Sequence, residues 1–231
     1  MVLVMAPMVM ADQVGLVGGP NGYGPYQTGI GGEFTFQILD PNLSWILNSY
    51  VSGTTSDLVT GSYLHNFQTF CVETGEYISS WGKYDVTFSD HSMLTGNTLS
   101  VGAAWLYENF QTGGNFGNYA TYDYTNNRSS SADQLQKAIW WLMGVGNDPG
   151  NTNIFRDAVI NEFTSVGAAF APNNGQFPVM VMNLWDPNSP HTQGYQHQDQ
   201  LVCTPVPEPT SMLLLGSGLI GLAVLRRKFK K

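Results

Sequence analysis

Charged residues are scarce, at 11% of 231 residues, and only 9 are basic against 17 acidic. Five of those nine (Arg226, Arg227, Lys228, Lys230 and Lys231) crowd the last six positions, which leaves Lys83, Arg128, Lys137 and Arg156 for everything before them. That body sets four basic against 17 acidic residues, a net −13. Nucleic acid is held largely by basic groups on phosphates, so a body this acidic excludes it as a partner. The marks of common chemistries are also missing. The sequence has no Gly-rich phosphate loop, no His-Glu-x-x-His and no Cys-x-x-Cys. Its four histidines (His65, His91, His191, His197) are scattered, and nothing marks a Ser-His-Asp site. The oxygen-rich stretches 147–151 and 186–188 read as Asx-turns before they read as calcium loops. The expectation is a protein that is not an enzyme, with no catalytic residue, cofactor or metal.

What is present is a chain of 42% hydrophobic and 13% aromatic residues with 26 glycines, too apolar for disorder and long enough for one proper core. Low charge with many Gly, Asn, Thr and Ser residues suits an exported, turn-rich domain. Residues 2–10 are apolar, and Val9-Met10-Ala11 offers a cleavage point after Ala11. Residues 1–11 therefore read as a signal-peptide remnant, with an N-terminal core strand as the alternative. No positive n-region precedes them, so a start further upstream is expected.

At the other end, residues 212–225 form an uncharged apolar run directly before the basic cluster. At ~1.5 Å per residue it spans about 21 Å as a helix, short of the ~30 Å hydrocarbon core. Extension back to Thr210 and snorkelling by Arg226, Arg227 and Lys228 make a single transmembrane helix plausible, with the basic end cytoplasmic. A buried C-terminal core helix is the alternative. Just before the run stands Pro207-Glu208-Pro209, whose prolines hold the segment extended and outside the helix. Pro-Glu-Pro, a short apolar helix and an Arg-rich end, in that order, resemble the PEP-CTERM sorting signal of Gram-negative bacteria. The resemblance implies export, recognition of the Pro-Glu-Pro segment by an exosortase-type membrane peptidase, inner-membrane anchoring in transit, and delivery to the cell surface or extracellular matrix. Residues 204–231 are assigned to this tail.

Between the ends, residues 12–31 read as an irregular leading segment and 32–203 as one globular domain. Alternation predicts strands at 33–39 (Phe34, Phe36, Ile38 on one face), in 62–72, around Tyr84, Val86 and Phe88, and at 177–184, with 200–203 at an edge. Helical spacing runs through Val101, Ala104, Trp105 and Glu108, with Thr98 or Ser100 as cap. Ser131-Ala132-Asp133-Gln134 matches a capping box, and Leu135, Ala138, Ile139 and Leu142 form the stripe of the helix it would open. A third helix is expected over 154–170. Strands, helices, then strands imply an α+β fold: antiparallel, sandwich-like strands with an inserted group of about three helices.

Two motifs remain, Phe70-Cys71-Val72-Glu73 and Gln136-Lys137-Ala138-Ile139-Trp140. Together, in this order, they resemble the thioester domains of bacterial surface adhesins, which carry an aromatic-Cys-hydrophobic motif on an early strand and a Gln-x-Ala-Ile-Trp-like motif on a later helix. The resemblance implies a Cys71–Gln136 thioester, shielded by Phe70 and Trp140, that acylates an amine-bearing surface or matrix partner once per molecule. Helix geometry puts Gln136 and Trp140 one turn apart on the flank of the apolar stripe, where a strand cysteine can meet them. Gln134, on the other flank, competes for the same role. Two cysteines in an exported chain also leave open a Cys71–Cys203 disulfide, or two free thiols. A non-reactive matrix or glycan-associated structural protein is the alternative function.

Overall fold

The computed structural model describes residues 12–17, 23, 26–28, 31–46, 66–79 and 82–205. The segment 1–11 expected to be a signal-peptide remnant, the motif residues Pro207, Glu208 and Pro209, the apolar run and the basic cluster from Arg226 lie outside these residues. Among the described residues, no helix is long and apolar enough to cross a membrane.

The expected α+β architecture of antiparallel strands and a few helices is present. Six strands form one sheet: β1 (Gln13–Leu16), β4 (Phe34–Ile38), β5 (Asn66–Thr69), β6 (Lys83–Ser89), β9 (Val179–Trp185) and β10 (Gln196–Cys203), in the order β10-β9-β6-β1-β4-β5. Every neighbouring pair is antiparallel. Among the described residues this sheet has no second sheet of comparable size beside it, the other two having two strands each. Instead it curls until its two edge strands approach: the chain leaving β5 bridges β10 at Cys71 and Gln200, and Thr69 Oγ1 donates to the Leu201 carbonyl at 2.6 Å. Two short hairpins stand apart, β2 (Gln27–Thr28) with β3 (Gly31–Gly32), and β7 (Asn115–Phe116) with β8 (Ala120–Thr121).

Side-chain alternation divides the core in two. Val14, Phe36, Phe67, Val86, Leu184 and Val202 pack on one face of the sheet, with Cys71 and Trp140. Val181, Leu201, Cys203 and Phe70 pack on the other, against the helices. Those helices are α1 (Val101–Gln111), α2 (Arg128–Leu142), α3 (Ile154–Phe163) and the single turn α4 (Val166–Ala169). Ser100 caps α1, its hydroxyl accepting from Ala103 N at 3.2 Å. Asn153 caps α3 through N–H groups of Phe155 (3.1 Å) and Arg156 (2.9 Å).

Three local expectations are corrected. The segment 12–31 holds a strand at the centre of the sheet, β1, paired with both β4 and β6. The helix α2 starts at Arg128, before the expected capping box, and Ser131 faces inward, its Oγ accepting from Asp123 N at 3.1 Å. The helix expected over 154–170 breaks at Thr164, which is left-handed (φ 59°), and Ser165 caps α4 by accepting from Ala168 N at 3.1 Å.

Candidate functional site

In a wide antiparallel pair, the two residues point their own N–H and C=O groups away from each other. Cys71 and Gln200 form such a pair, because the flanking bonds, Leu201 N to Phe70 O and Val72 N to Asp199 O, are both made at 3.0 Å. The N–H and C=O of Cys71 thus face away from β10, buried and in need of partners.

Gln136 supplies both. Its Nε2 donates to the Cys71 carbonyl at 2.7 Å, and its Oε1 accepts from Cys71 N at 3.2 Å. The carboxamide imitates one residue of a neighbouring strand. A second main-chain donor, Gly32 N, reaches the same Oε1 at 3.2 Å. The thiol completes the arrangement, with Cys71 Sγ 3.3 Å from Gln136 Oε1. Cys71 and Gln136 are buried, and Trp140, one turn along α2 and 8% exposed, packs in the same cluster as Cys71.

The electrostatics keep the thiol protonated. Burial pushes the Cys71 pKa well above the usual thiol range, and the nearby Glu73 carboxyl adds to the rise. The Trp140 side chain works against that rise, although its Nε1 makes no hydrogen bond of ordinary geometry. Glu73 is held by Ser92 Oγ (2.7 Å) and Asp199 N (2.8 Å). Burial, then the charge of Glu73, raises the Asp199 pKa well above the usual carboxyl range, while its oxygens accept from Met93 N (2.7 Å), Asn183 Nδ2 (2.9 Å) and Leu184 N (3.2 Å).

The placement of Gly32 depends on its neighbours. Glu33 is fully buried and ion-paired with Arg128, the first residue of α2; Arg128 Nε donates to it at 3.0 Å, and Tyr122 Oη at 2.6 Å. Arg128 also stacks over the Tyr26 ring, 3.4 Å from its centroid. The β2–β3 hairpin is thereby tied to the helix that carries Gln136.

Other sequence candidates fall elsewhere. Phe70 packs edge-to-face with Phe110 of α1, 5.0 Å between centroids, in the helical cluster and not in the cluster that holds Cys71. Gln134 accepts from Ile154 N at 3.2 Å and so joins α2 to the start of α3. Cys203 is free and buried in the helical cluster, on the opposite face from Cys71, and no Cys71–Cys203 disulfide is formed. Among the described residues no group of His, Cys, Asp or Glu is arranged to hold a metal. Sequence reasoning assigned no role to Gly31, Gly32, Glu33 or Asp199. The Gly-Gly doublet was the available signal, since adjacent glycines mark a close backbone approach.

Residues 205–228 match the model of the PEP-CTERM protein-sorting motif family. The match supports export, anchoring in the membrane in transit in a Gram-negative bacterium, and recognition by exosortase, a membrane protease. No curated protein and no solved structure matches the chain.

Proposed function

We propose that the exported body forms an internal thioester between Cys71 and Gln136 and uses it once, to attach covalently to an amine-bearing partner at the cell surface or in the extracellular matrix. The single observation that carries this reading is the approach of Cys71 Sγ to 3.3 Å from Gln136 Oε1, with the carboxamide fixed on both its nitrogen and its oxygen. Such fixation keeps the side-chain carbonyl beside the sulfur, and held proximity of this kind favours attack by a weak nucleophile.

The atoms balance simply. Sulfur attacks the side-chain carbonyl carbon, the C–N bond breaks, and the nitrogen leaves as ammonia with the thiol proton. Attack by a partner's primary amine then forms an amide at the carbonyl of Gln136, and the proton lost from that amine ends on the departing Cys71 sulfur. Burial under Trp140 keeps water from the bond. Consumption of the bond makes this attachment and not turnover, hence not an enzyme. Export by the C-terminal motif delivers such a domain to where partners are met, with the apolar run 212–225 as the transient anchor.

A passive reading gives Gln136 only the structural task of satisfying the Cys71 backbone, within a non-reactive matrix protein. Methylamine separates the two. The thioester reading expects methylamine to be added at Gln136, found by peptide mapping, with Cys71 becoming open to alkylation only afterwards. No uptake, with Cys71 free throughout, would leave the passive reading standing.

A further inference from the structure

We propose that the main-chain N–H groups of Gly32 and Cys71 form an oxyanion hole around Gln136 Oε1, with Gly31 as the positioning residue that lets the hairpin reach it. This inference rests on the thioester reading above. Sulfur attack turns the side-chain carbonyl of Gln136 into a tetrahedral centre with negative charge on Oε1. That oxygen already faces two N–H donors, each at 3.2 Å, from two separate elements. Preorganised donors aimed at developing charge in a buried site need no reorganisation when the charge appears. The bonds are somewhat long for a neutral carbonyl and shorten as the charge grows.

The two glycines have different duties. Gly32 sits at φ 116°, a backbone conformation that side chains disfavour, and this turns its N–H toward Gln136. A side chain at Gly31 would place Cβ 2.6 Å from the Trp140 ring and 2.7 Å from Gln136 Cγ. Nothing larger than glycine lets the hairpin lie on that surface. On the Cys71 side, the bridge to β10 fixes the second donor. The same hole serves both directions of the chemistry. Closing the bond expels ammonia and opening it with an amine expels sulfur, and each passes through an oxyanion at this position.

The direct test replaces Gly32 by glycolic acid through nonsense suppression, exchanging one N–H for an ester oxygen and leaving the shape intact. Ammonia loss after refolding and opening by methylamine are followed by intact mass, beside the thermal unfolding midpoint. Both rates are expected to fall about a hundred- to a thousandfold, the usual effect of losing one oxyanion donor, with little change in the midpoint. Gly31→Ala should slow both steps in the same direction, and if it fails to fold the ester variant decides alone. Wild-type rates in the ester variant would overturn the oxyanion role while leaving the thioester intact. A wild-type protein that never loses ammonia would overturn the thioester reading and this inference together.

Discussion

Cys71 shows how one residue's backbone geometry creates a demand that a distant side chain meets. Its N–H and C=O point away from β10, and Gln136, 65 positions later, answers both. Removing Gln136 therefore does more than remove one partner of the proposed bond. Measured against Cys71→Ala, in which the carboxamide is intact, Gln136→Ala leaves a buried N–H and a buried C=O without partners, at a cost of ~1–3 kcal/mol for each such group. In the proposed thioester the Nε2 donor has already left as ammonia. Cys71→Ala keeps that pairing and should cost less, since it leaves only a small cavity. Urea denaturation of the two variants checks the order. Equal destabilisation would mean that the carboxamide pairing contributes little to the fold. This juxtaposition was expected from the resemblance of the two motifs to thioester domains. The helix wheel alone set Gln136 and Gln134 on opposite flanks of a stripe whose members Leu135, Ala138 and Ile139 are all fully buried, and did not choose between them. The place of Phe70 was not foreseen. Neighbours on a strand point to opposite faces, so an aromatic beside Cys71 packs with the helices and not beside the thiol.

At the scale of elements, α2 is positioned from its first residue. The buried Glu33–Arg128 pair joins it to the β2–β3 hairpin, and breaking such a pair from one side leaves an uncompensated charge. Arg128→Ala is expected to cost ~3–5 kcal/mol in chemical denaturation. It should also slow amine uptake, because Gly32 is no longer held against Gln136. The approach to α2 depends on Asp123, whose carboxylate accepts from the N–H groups of Thr125 (2.8 Å), Asn126 (3.1 Å) and Asn127 (3.1 Å). These bonds, those to Thr125 first, pull its pKa from 3.8 to about 2. A lowered acid pKa stabilises the fold above the unfolded value and loses that contribution as protons bind. Order in 123–128 should therefore persist above pH 3.8 and weaken as pH falls through about 2, as hydrogen exchange of these amides would report. A flat profile would contradict the role of Asp123.

The elements that sequence patterns revealed were the long periodic ones. The alternating Phe34, Phe36 and Ile38 and the stripe of α2 stand out because burial on one face imposes a period. Missed were β1 and the β2–β3 hairpin, whose four and two residues per strand are too short to show a period inside a Gly- and Pro-rich stretch. The apparent capping box from Ser131 misled for a different reason. Its spacing was right, but the helix begins earlier, and Ser131 and Gln134 bond to Asp123 and Ile154 instead.

For the whole molecule, the sorting tail and the chemistry proposed for the body make separate demands on the chain. The motif at 205–228 supports delivery by an exosortase, while the body supplies the chemistry proposed for its destination. Replacing Glu208, Pro207 or Pro209 should leave the body folded and able to take up methylamine but keep the tail uncleaved and the chain membrane-held, as fractionation and immunoblotting would show. Wild-type amounts in the medium or at the surface would contradict the assignment of those three residues. The central claim is the bond between Cys71 and Gln136, and the intact mass of the purified, amine-free protein tests it most directly. The account predicts that wild type is lighter than its sequence by one ammonia, while Cys71→Ala and Gln136→Ala each have their full sequence mass. A wild-type mass equal to that of the sequence, or short by only two hydrogens, would contradict it.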